Sequence, residues 1–200
     1  MSSSTVHSVY FYDADDALIA RLCGIVASGL RQGNAALIVA TQQHREELLS
    51  ALKKDGIDAD THIREKRLTM CDAGQMLARF MSGERPNATL FQSSVGQLLQ
   101  KARQSASQKD QDLVVFGEMV AILWERGNKT GALELERLWN NLLSQRAFHL
   151  HCAYPRSLFS GDALGMANVC DSHSHIFGAM TSKATSALNL STLIPQVGQQ

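Results

Sequence analysis

One carboxylate stands where a buried strand of this chain is expected to end. The stretch DLVVFGEMVAILW, residues 112–124, has the pattern of a short strand followed by a turn and a helix, and Glu118 falls at the junction. Nucleotide-hydrolysing α/β proteins often use an acidic residue there to hold a metal ion or to orient a water molecule. The question is therefore whether the sequence supplies the other parts of such a site.

A phosphate-binding loop is not found in the sequence. Its motif, GxxxxGK[ST], places backbone N–H groups, a lysine and a hydroxyl around the phosphates. After the first predicted strand the chain instead has YDADDAL, in which Asp13, Asp15 and Asp16 would repel a phosphate. The similar stretch GNKT, residues 127–130, lies between two predicted helices and is interpreted as a helix end followed by a helix start. We expect no ATP and no catalytic residue, and the sequence names no other cofactor.

Several side chains that could bind a small molecule lie at the predicted carboxyl ends of the strands. Ligands of open parallel sheets bind beyond these ends, and the candidates are Tyr12, Asp13, Thr41, Glu118 and Tyr154, with Trp124 or Trp139 as walls. Four of them have a simpler alternative. Glu118 could cap the following helix, the tryptophans could pack in the core, and the Tyr154 hydroxyl could bond to the backbone.

A second polar group lies on the helix predicted after residue 128. Glu136 and Asn140 are four residues apart and share one helix face. Together with Asn128 they could form a network that holds two helices, so a structural role is favoured for these three residues.

Side chains of the kind that bind metals are concentrated near the end of the chain, at His149, His151, Cys152, Cys170, His173 and His175. On a strand, His149 and His151 point to one side and Cys152 to the other. On a helix, Cys170 and His173 share a face. Because no spacing matches a zinc signature, buried thiols and partly exposed histidines are favoured over a metal site.

The order of elements predicts an α/β fold with a mostly parallel sheet flanked by helices. Strands are expected at residues 7–12, 35–40, 112–116 and 147–154, with one or two short edge strands within 62–70. Predicted helices begin at the caps Asp13, Thr41 and Asp72, near Pro86 or Asn87, after Glu118 and at Asn128 or Thr130, and a last one covers 161–177. Residues 1–180 are expected to form one domain, and residues 181–200 a weakly ordered tail.

The bulk composition excludes some functional classes. Nineteen basic and nineteen acidic side chains give a net charge of zero, which argues against binding to nucleic acid or an anionic membrane by overall charge. Residues 1–16 turn acidic at once, and no apolar run is long enough to span a membrane. We therefore expect a cytoplasmic protein whose four cysteines are reduced.

Several stretches in combination resemble one known family. They are HSVYFYDADDAL, GLRQGNAALIVAT, FGEMVAILWERGN, ALELERLWNNL, HCAYP and VCDSHSH. Together they resemble the MEDS domain, a sensory domain named after methanogen and methylotroph regulators, over about residues 7–175. The resemblance implies a RecA/KaiC-like core with a degenerate nucleotide loop, and a role in sensing or regulation beside a signalling partner.

The resulting hypothesis is a non-catalytic sensory module that binds a small-molecule signal, a partner signalling protein, or both. With no room for an output domain in 200 residues, we expect the output to be another chain. One alternative is an interaction module that acts as a homodimer without a ligand. The other is a divergent nucleotide-binding ATPase, which would depend on Glu118.

Overall fold

A single parallel sheet organises the chain in the computed structural model, which describes residues 5–105 and 112–178. Its strands are β1 (Val6–Tyr12), β2 (Ala35–Ala40), β3 (Leu68–Asp72), β6 (Leu113–Gly117), β7 (His149–Pro155) and β8 (His175–Phe177). They lie in the order β3-β2-β6-β7-β1-β8, and every neighbouring pair is parallel. A separate antiparallel hairpin joins β4 (Met81–Ser82) to β5 (Arg85–Pro86).

Helices cover both faces of the sheet. They are α1 (Asp15–Arg31), α2 (Gln42–Lys54), α3 (Ala59–Arg64), α4 (Ala73–Ala78), α5 (Ala88–Phe91), α6 (Gln97–Gln104), α7 (Met119–Glu125), α8 (Lys129–Gln145) and α9 (Ala163–Asp171). One turn of π-helix, Gln92–Gly96, joins α5 to α6, and a 3-10 turn, Arg156–Phe159, follows β7.

The sheet separates two hydrophobic cores. Residues of α1, α2 and α3 form one core against one face, and residues of α4 to α9 form the larger core against the other. Every residue of β2 and β6 is buried, as expected for parallel strands covered on both sides. This explains why both strands appear in the sequence as continuous apolar runs.

The direction of the connections changes within the sheet. From β1 the chain passes to β2 and then to the edge strand β3, with α1 and α2 on one face. From β3 it returns through β6 and β7 to β8, with the later helices on the other face. The crossovers that leave the neighbouring strands β2 and β6 therefore run in opposite directions, which opens a crevice beyond their carboxyl ends.

The α/β class with a mostly parallel, helix-flanked sheet is confirmed, and four local predictions need correction. Residues 62–70 contain the end of α3 before β3 begins, and the helix after Asp72 stops at Ala78 because the β4–β5 hairpin follows. Residue 14, not Asp13, is the N-cap of α1. The predicted last helix, 161–177, ends at Asp171, and β8 joins the sheet beside β1. The predicted tail, 181–200, lies outside the described residues.

Removal of a buried leucine should show how much the larger core contributes to stability. Leu135 on α8 is fully buried, whereas Leu164 on α9 is 74% exposed. Leu135→Ala should lower the free energy of unfolding by about 2–5 kcal/mol, because it removes apolar contacts and leaves a cavity. Leu164→Ala, the matched control, should change it by about 0.5 kcal/mol or less. Urea unfolding measures both, and equal effects would contradict this packing.

Candidate functional site

The crevice beyond β2 and β6 brings together two of the predicted site residues. Thr41 follows β2 and Glu118 follows β6. The backbone N–H of Thr41 donates a hydrogen bond of 2.7 Å to Glu118 Oε2. The two strand ends are thus joined through a side chain that lies 77 residues away in sequence.

Glu118 is buried and forms a pair with a histidine. Glu118 is 4% exposed. Its Oε1 contacts Nδ1 of His44, which lies in the first turn of α2. The backbone N–H of Glu118 bonds to Val39 O at 3.0 Å, so it still belongs to the strand pairing. The side chain makes no cap bond to α7. Glu118 occupies the N-cap position of α7, but the alternative in which its side chain accepts from the free N–H groups of that helix is therefore wrong.

His44 lies between two carboxylates. Its Nε2 is 3.5 Å from Asp15 Oδ1 at the start of α1. The hydrogen bond with Glu118 is the largest influence on the pKa of His44. Burial lowers this pKa, but the charges of Glu118 and Asp15 add to the rise, so the net pKa is above its ordinary value. Sequence reasoning missed His44, although its position three residues after the helix cap Thr41 places it beside the end of β2.

Tyr12 and Asp13 have different surroundings. Tyr12 is buried at the end of β1, and burial followed by the charges of Glu118 and Asp15 raises the pKa of its hydroxyl. The hydroxyl therefore remains protonated near these carboxylates. Asp13 instead pairs with Arg156 after β7, with 2.7 Å between Oδ1 and Nε. Tyr12 thus lies near Glu118, whereas Asp13 links the ends of β1 and β7 through Arg156.

A polar cleft of about 460 Å³ opens beside the carboxyl end of β3. Its polar lining includes Arg45, Asp72, Gln75, Arg79, Ser94, Gln97 and Lys101. Arg45 Nη2 binds Asp72 Oδ2 at 3.0 Å, and its Nε donates to Thr41 O at 3.3 Å. The wall of the cleft is therefore connected to Glu118 through Arg45 and Thr41.

The structure places Tyr154 in a second group, between the sheet and α8. Its hydroxyl donates a hydrogen bond of 2.8 Å to Glu136 Oε1, and both side chains are fully buried. Trp124 packs against this tyrosine, with ring centroids 6.1 Å apart. Trp139 packs on Phe91 in the same core, as its simpler alternative predicts.

The three residues of the predicted helix network divide between two places. Asn140 accepts from His7 Nδ1 at 2.9 Å, and the His7 Nε2 lies 3.4 Å from Glu136 Oε2. Asn128 lies at the start of α8, where it accepts from the Gly131 N–H and donates to Glu84 O. Glu136 and Asn140 therefore share His7, whereas Asn128 caps a helix and holds the β4–β5 hairpin.

The candidate metal ligands named from the sequence are also distributed over several places. His149 Nε2 lies 3.3 Å from Asp112 Oδ2, and His151 binds Ser8 Oγ at 2.7 Å. Burial is the main cause that lowers the pKa of His151 to about 4. Cys170 is partly buried against the large core, and His175 is exposed. His173 and Cys152 lie beside Glu136, at 3.6 Å and 3.8 Å from its oxygens.

The His44–Glu118 pair should make stability depend on pH. A histidine whose pKa is raised by folding contributes stability that is fully present below its unfolded pKa, about 6.5, and is lost as pH rises through the folded pKa. Glu118→Gln should therefore lower the free energy of unfolding by about 1.5–3 kcal/mol at acidic pH, and by less as the pH approaches 9. Urea unfolding across this range measures the difference.

The matched control is Glu65→Gln. Glu65 is half exposed and pairs with Arg67, which stays protonated over the whole range. Its loss should cost about 1 kcal/mol or less at every pH. A Glu118→Gln effect that is equally independent of pH would contradict the raised pKa of His44.

Comparisons with known proteins agree with this architecture. An uncharacterized protein from Pyrococcus horikoshii, crystallised in complex with an unknown peptide, superimposes with a TM-score of 0.66 at 12% sequence identity. The alignment covers 87% of this chain and 76% of that one. At this identity the likeness shows a shared fold alone. The comparison with curated proteins gave no match.

Within the described part of the chain, no helix combines the length and apolar character needed to cross a membrane.

The family of the chain is decided by a match over most of its length. The family model of the methanogen/methylotroph, DcmR sensory domain matches residues 6–174. This range includes the whole crevice and nearly all of the sheet. The chain belongs to the MEDS family of sensory domains.

Proposed function

We propose that this chain is a non-catalytic sensory module that binds a small polar signal molecule in the cleft beside β3. The observation that carries the proposal is the continuous set of contacts from the cleft wall to the buried acid. Asp72 binds Arg45, Arg45 binds Thr41, and Thr41 binds Glu118. A ligand at the cleft would thereby act on the buried Glu118–His44 pair without entering the core.

The lining of the cleft favours an anionic ligand. The lining includes three basic side chains and one carboxylate: Arg45, Arg79 and Lys101, and Asp72. Arg45 and Asp72 neutralise each other, so the charges of Arg79 and Lys101 remain for a ligand. Neighbouring amides and hydroxyls can supply directional hydrogen bonds. A small molecule with a carboxylate or phosphate group matches this chemistry.

The same contacts offer a way to transmit binding. Thr41 is the N-cap of α2, and its hydroxyl accepts from the His44 N–H at 3.3 Å. The Thr41 carbonyl accepts from both the backbone N–H of Arg45, at 3.1 Å, and its side-chain Nε. A ligand that draws the Arg45 side chain away from Asp72 would remove the second of these bonds and alter the start of α2. Because α2 also carries His44, the Glu118 pair would respond. The output then passes to a partner signalling protein. The cytoplasmic location of the chain remains a prediction from its sequence.

A second candidate is a protein-interaction role at β8. This strand pairs with β1 on one side, and among the described residues no strand pairs with its outer side. Ile176 and Phe177 on β8 are 46% and 38% exposed. An open strand edge can add a strand from a peptide or a second copy, and the P. horikoshii relative was crystallised with an unknown peptide.

Native mass spectrometry of the untagged protein, freshly purified from cells, tests the cleft. We expect a bound small molecule that is lost from the double variant Arg79→Gln/Lys101→Gln, because the lining loses two positive charges. The matched control, Lys53→Gln/Lys54→Gln at the exposed end of α2, should retain the molecule. Equal loss from both variants, or no bound mass in the wild type, would contradict the proposal. A bound nucleotide with magnesium would favour the ATPase alternative.

The oligomeric state tests the second candidate. If β8 pairs with a second copy, light scattering should report a dimer for the wild type. Ile176→Lys, which places a charge on the exposed strand, should give a monomer. Leu90→Lys, at an exposed site on α5, is the control and should leave the dimer intact. A monomeric wild type would count against the homodimer.

A further inference from the structure

Four buried side chains converge between β1, β7, α8 and the turn before β8. They are His7, Glu136, Cys152 and His173, and each can place one ligand atom within 4.8 Å of the other three. None of these residues belongs to the cleft or to the Glu118 pair. The group is therefore independent of the ligand site proposed above.

The hydrogen bonds of the two histidines fix which ring nitrogen carries the proton. Asn140 Nδ2 donates to Ser172 O at 3.0 Å, so its Oδ1 is the atom that faces His7 Nδ1 at 2.9 Å. The Nδ1 of His173 lies 2.7 Å from the carbonyl of Val169. Amide and carbonyl oxygens only accept, so both Nδ1 atoms are protonated. In neutral rings, both Nε2 atoms then present a lone pair.

These lone pairs converge on a carboxylate that is itself an acceptor. His7 Nε2 lies 3.4 Å from Glu136 Oε2, and His173 Nε2 lies 3.6 Å from Oε1. The Nε2 of His173 is buried and has no hydrogen-bond partner among the described residues. The carboxylate accepts from the Tyr154 hydroxyl at 2.8 Å, but neutral rings have no proton on Nε2 to share with it. Three buried acceptors so close together are unfavourable unless a cation lies among them.

The distances match those of a metal site. A tetrahedral ion with bonds of about 2.0 Å to nitrogen or oxygen and about 2.3 Å to sulfur sets its ligand atoms about 3.3–3.6 Å apart. Here Cys152 Sγ lies 3.5 Å from His7 Nε2 and 3.8 Å from Glu136 Oε2. Three edges, among His7 Nε2, Cys152 Sγ and Glu136 Oε2, are therefore already near the required length. His173 Nε2 lies 3.6 Å from the other oxygen of the same carboxylate.

We propose that His7, Glu136, Cys152 and His173 bind one divalent transition-metal ion, with Zn²⁺ as the best match. Two imidazoles, a thiolate and a carboxylate are four ligands that zinc accepts in tetrahedral geometry, and calcium or magnesium would require oxygen ligands instead. Asn140 and the Val169 carbonyl hold the outer nitrogens of the rings, as the neighbours of metal-bound histidines usually do. With four protein ligands the site is closed, which indicates a structural or regulatory ion.

The ion would tie the last part of the fold to its centre. His173 stands between α9 and β8, and Ser174 beside it exchanges hydrogen bonds with the His7 backbone. The metal would therefore link β1, β7 and α8 to the segment that leads into the edge strand β8. Its removal should loosen β8 before the central strands.

Metal binding to the full, untagged chain tests the proposal. Chelator-treated protein is titrated with Zn²⁺ against a chromophoric competitor and separately with Co²⁺. We expect one Zn²⁺ per chain, a rise in melting temperature and, with Co²⁺, the visible bands of a tetrahedral site together with a thiolate charge-transfer band. Cys152→Ala should abolish the charge-transfer band, and His173→Gln should weaken Zn²⁺ binding by more than about 100-fold, beyond the loss typical of outer-shell partners.

Two further variants separate ligands from neighbours. Asn140→Ala should keep the charge-transfer band and lose about 10–100-fold in affinity, because it removes only the group that orients His7. The double variant Cys170→Ala/His175→Gln removes a nearby cysteine and a nearby histidine that are not proposed ligands. It should bind Zn²⁺ as the wild type does. Should Cys152→Ala fail to fold, His173→Gln decides the matter, because His173 lies outside the helices and strands.

Three results would overturn the site. One is a folded wild type that binds less than stoichiometric Zn²⁺ under these conditions, which would leave a proton as the shared cation. Another is Zn²⁺ binding without a thiolate band in the Co²⁺ form, which would exclude Cys152. The third is wild-type affinity in His173→Gln.

Discussion

A parallel sheet covered by helices on both faces leaves little water for the polar groups that its strands carry. Each such group must find a partner within the protein, since an unpaired buried donor or acceptor costs about 1–3 kcal/mol. In β1 the side chain of Ser8 pairs with His151 on one face, and His7 pairs with Asn140 on the other. The polar contacts of this chain follow from that constraint.

The same constraint gives the two buried carboxylates different surroundings. Glu118 stands at a strand end and joins β6 to the N-terminus of α2 through Thr41 and His44. Its neighbours reach solvent through Asp15, which is half exposed. Glu136 lies within the core and is surrounded by side chains from β1, β7 and the turn before β8. The first carboxylate therefore lies close to the surface, and the second is enclosed by the interior.

The sequence predicted the elements whose signal is local. The continuous apolar runs of β2 and β6 and the caps Thr41, Asp72 and Asn128 all depend on neighbouring residues, and each is found in the structure. The strand β8 was missed because three residues with exposed side chains carry no periodic signal. Its hydrogen bonds to β1, more than 160 residues away, decide its conformation.

For the candidate sites too, the sequence predicts what depends on neighbouring residues and misses contacts between distant segments. Thr41 and Glu118 were grouped correctly at one edge of the sheet, because the carboxyl ends of parallel strands lie together. The partner of Glu118, however, is His44, and choosing between a local cap and a partner 74 residues away needs the sheet order. The histidines and the cysteine around Glu136 come from distant segments, so their spacing matches no metal signature. The outer hydrogen bonds that orient the rings are visible only in three dimensions.

The surroundings of Glu118 satisfy a strand-end carboxyl group from within the protein. One oxygen accepts the Thr41 N–H, and the other contacts His44. Three aspartates follow β1, where an ATPase would need glycine, lysine and a hydroxyl. Because Thr41 and His44 both lie at the start of α2, any displacement of that helix start would alter both contacts of the buried carboxyl group.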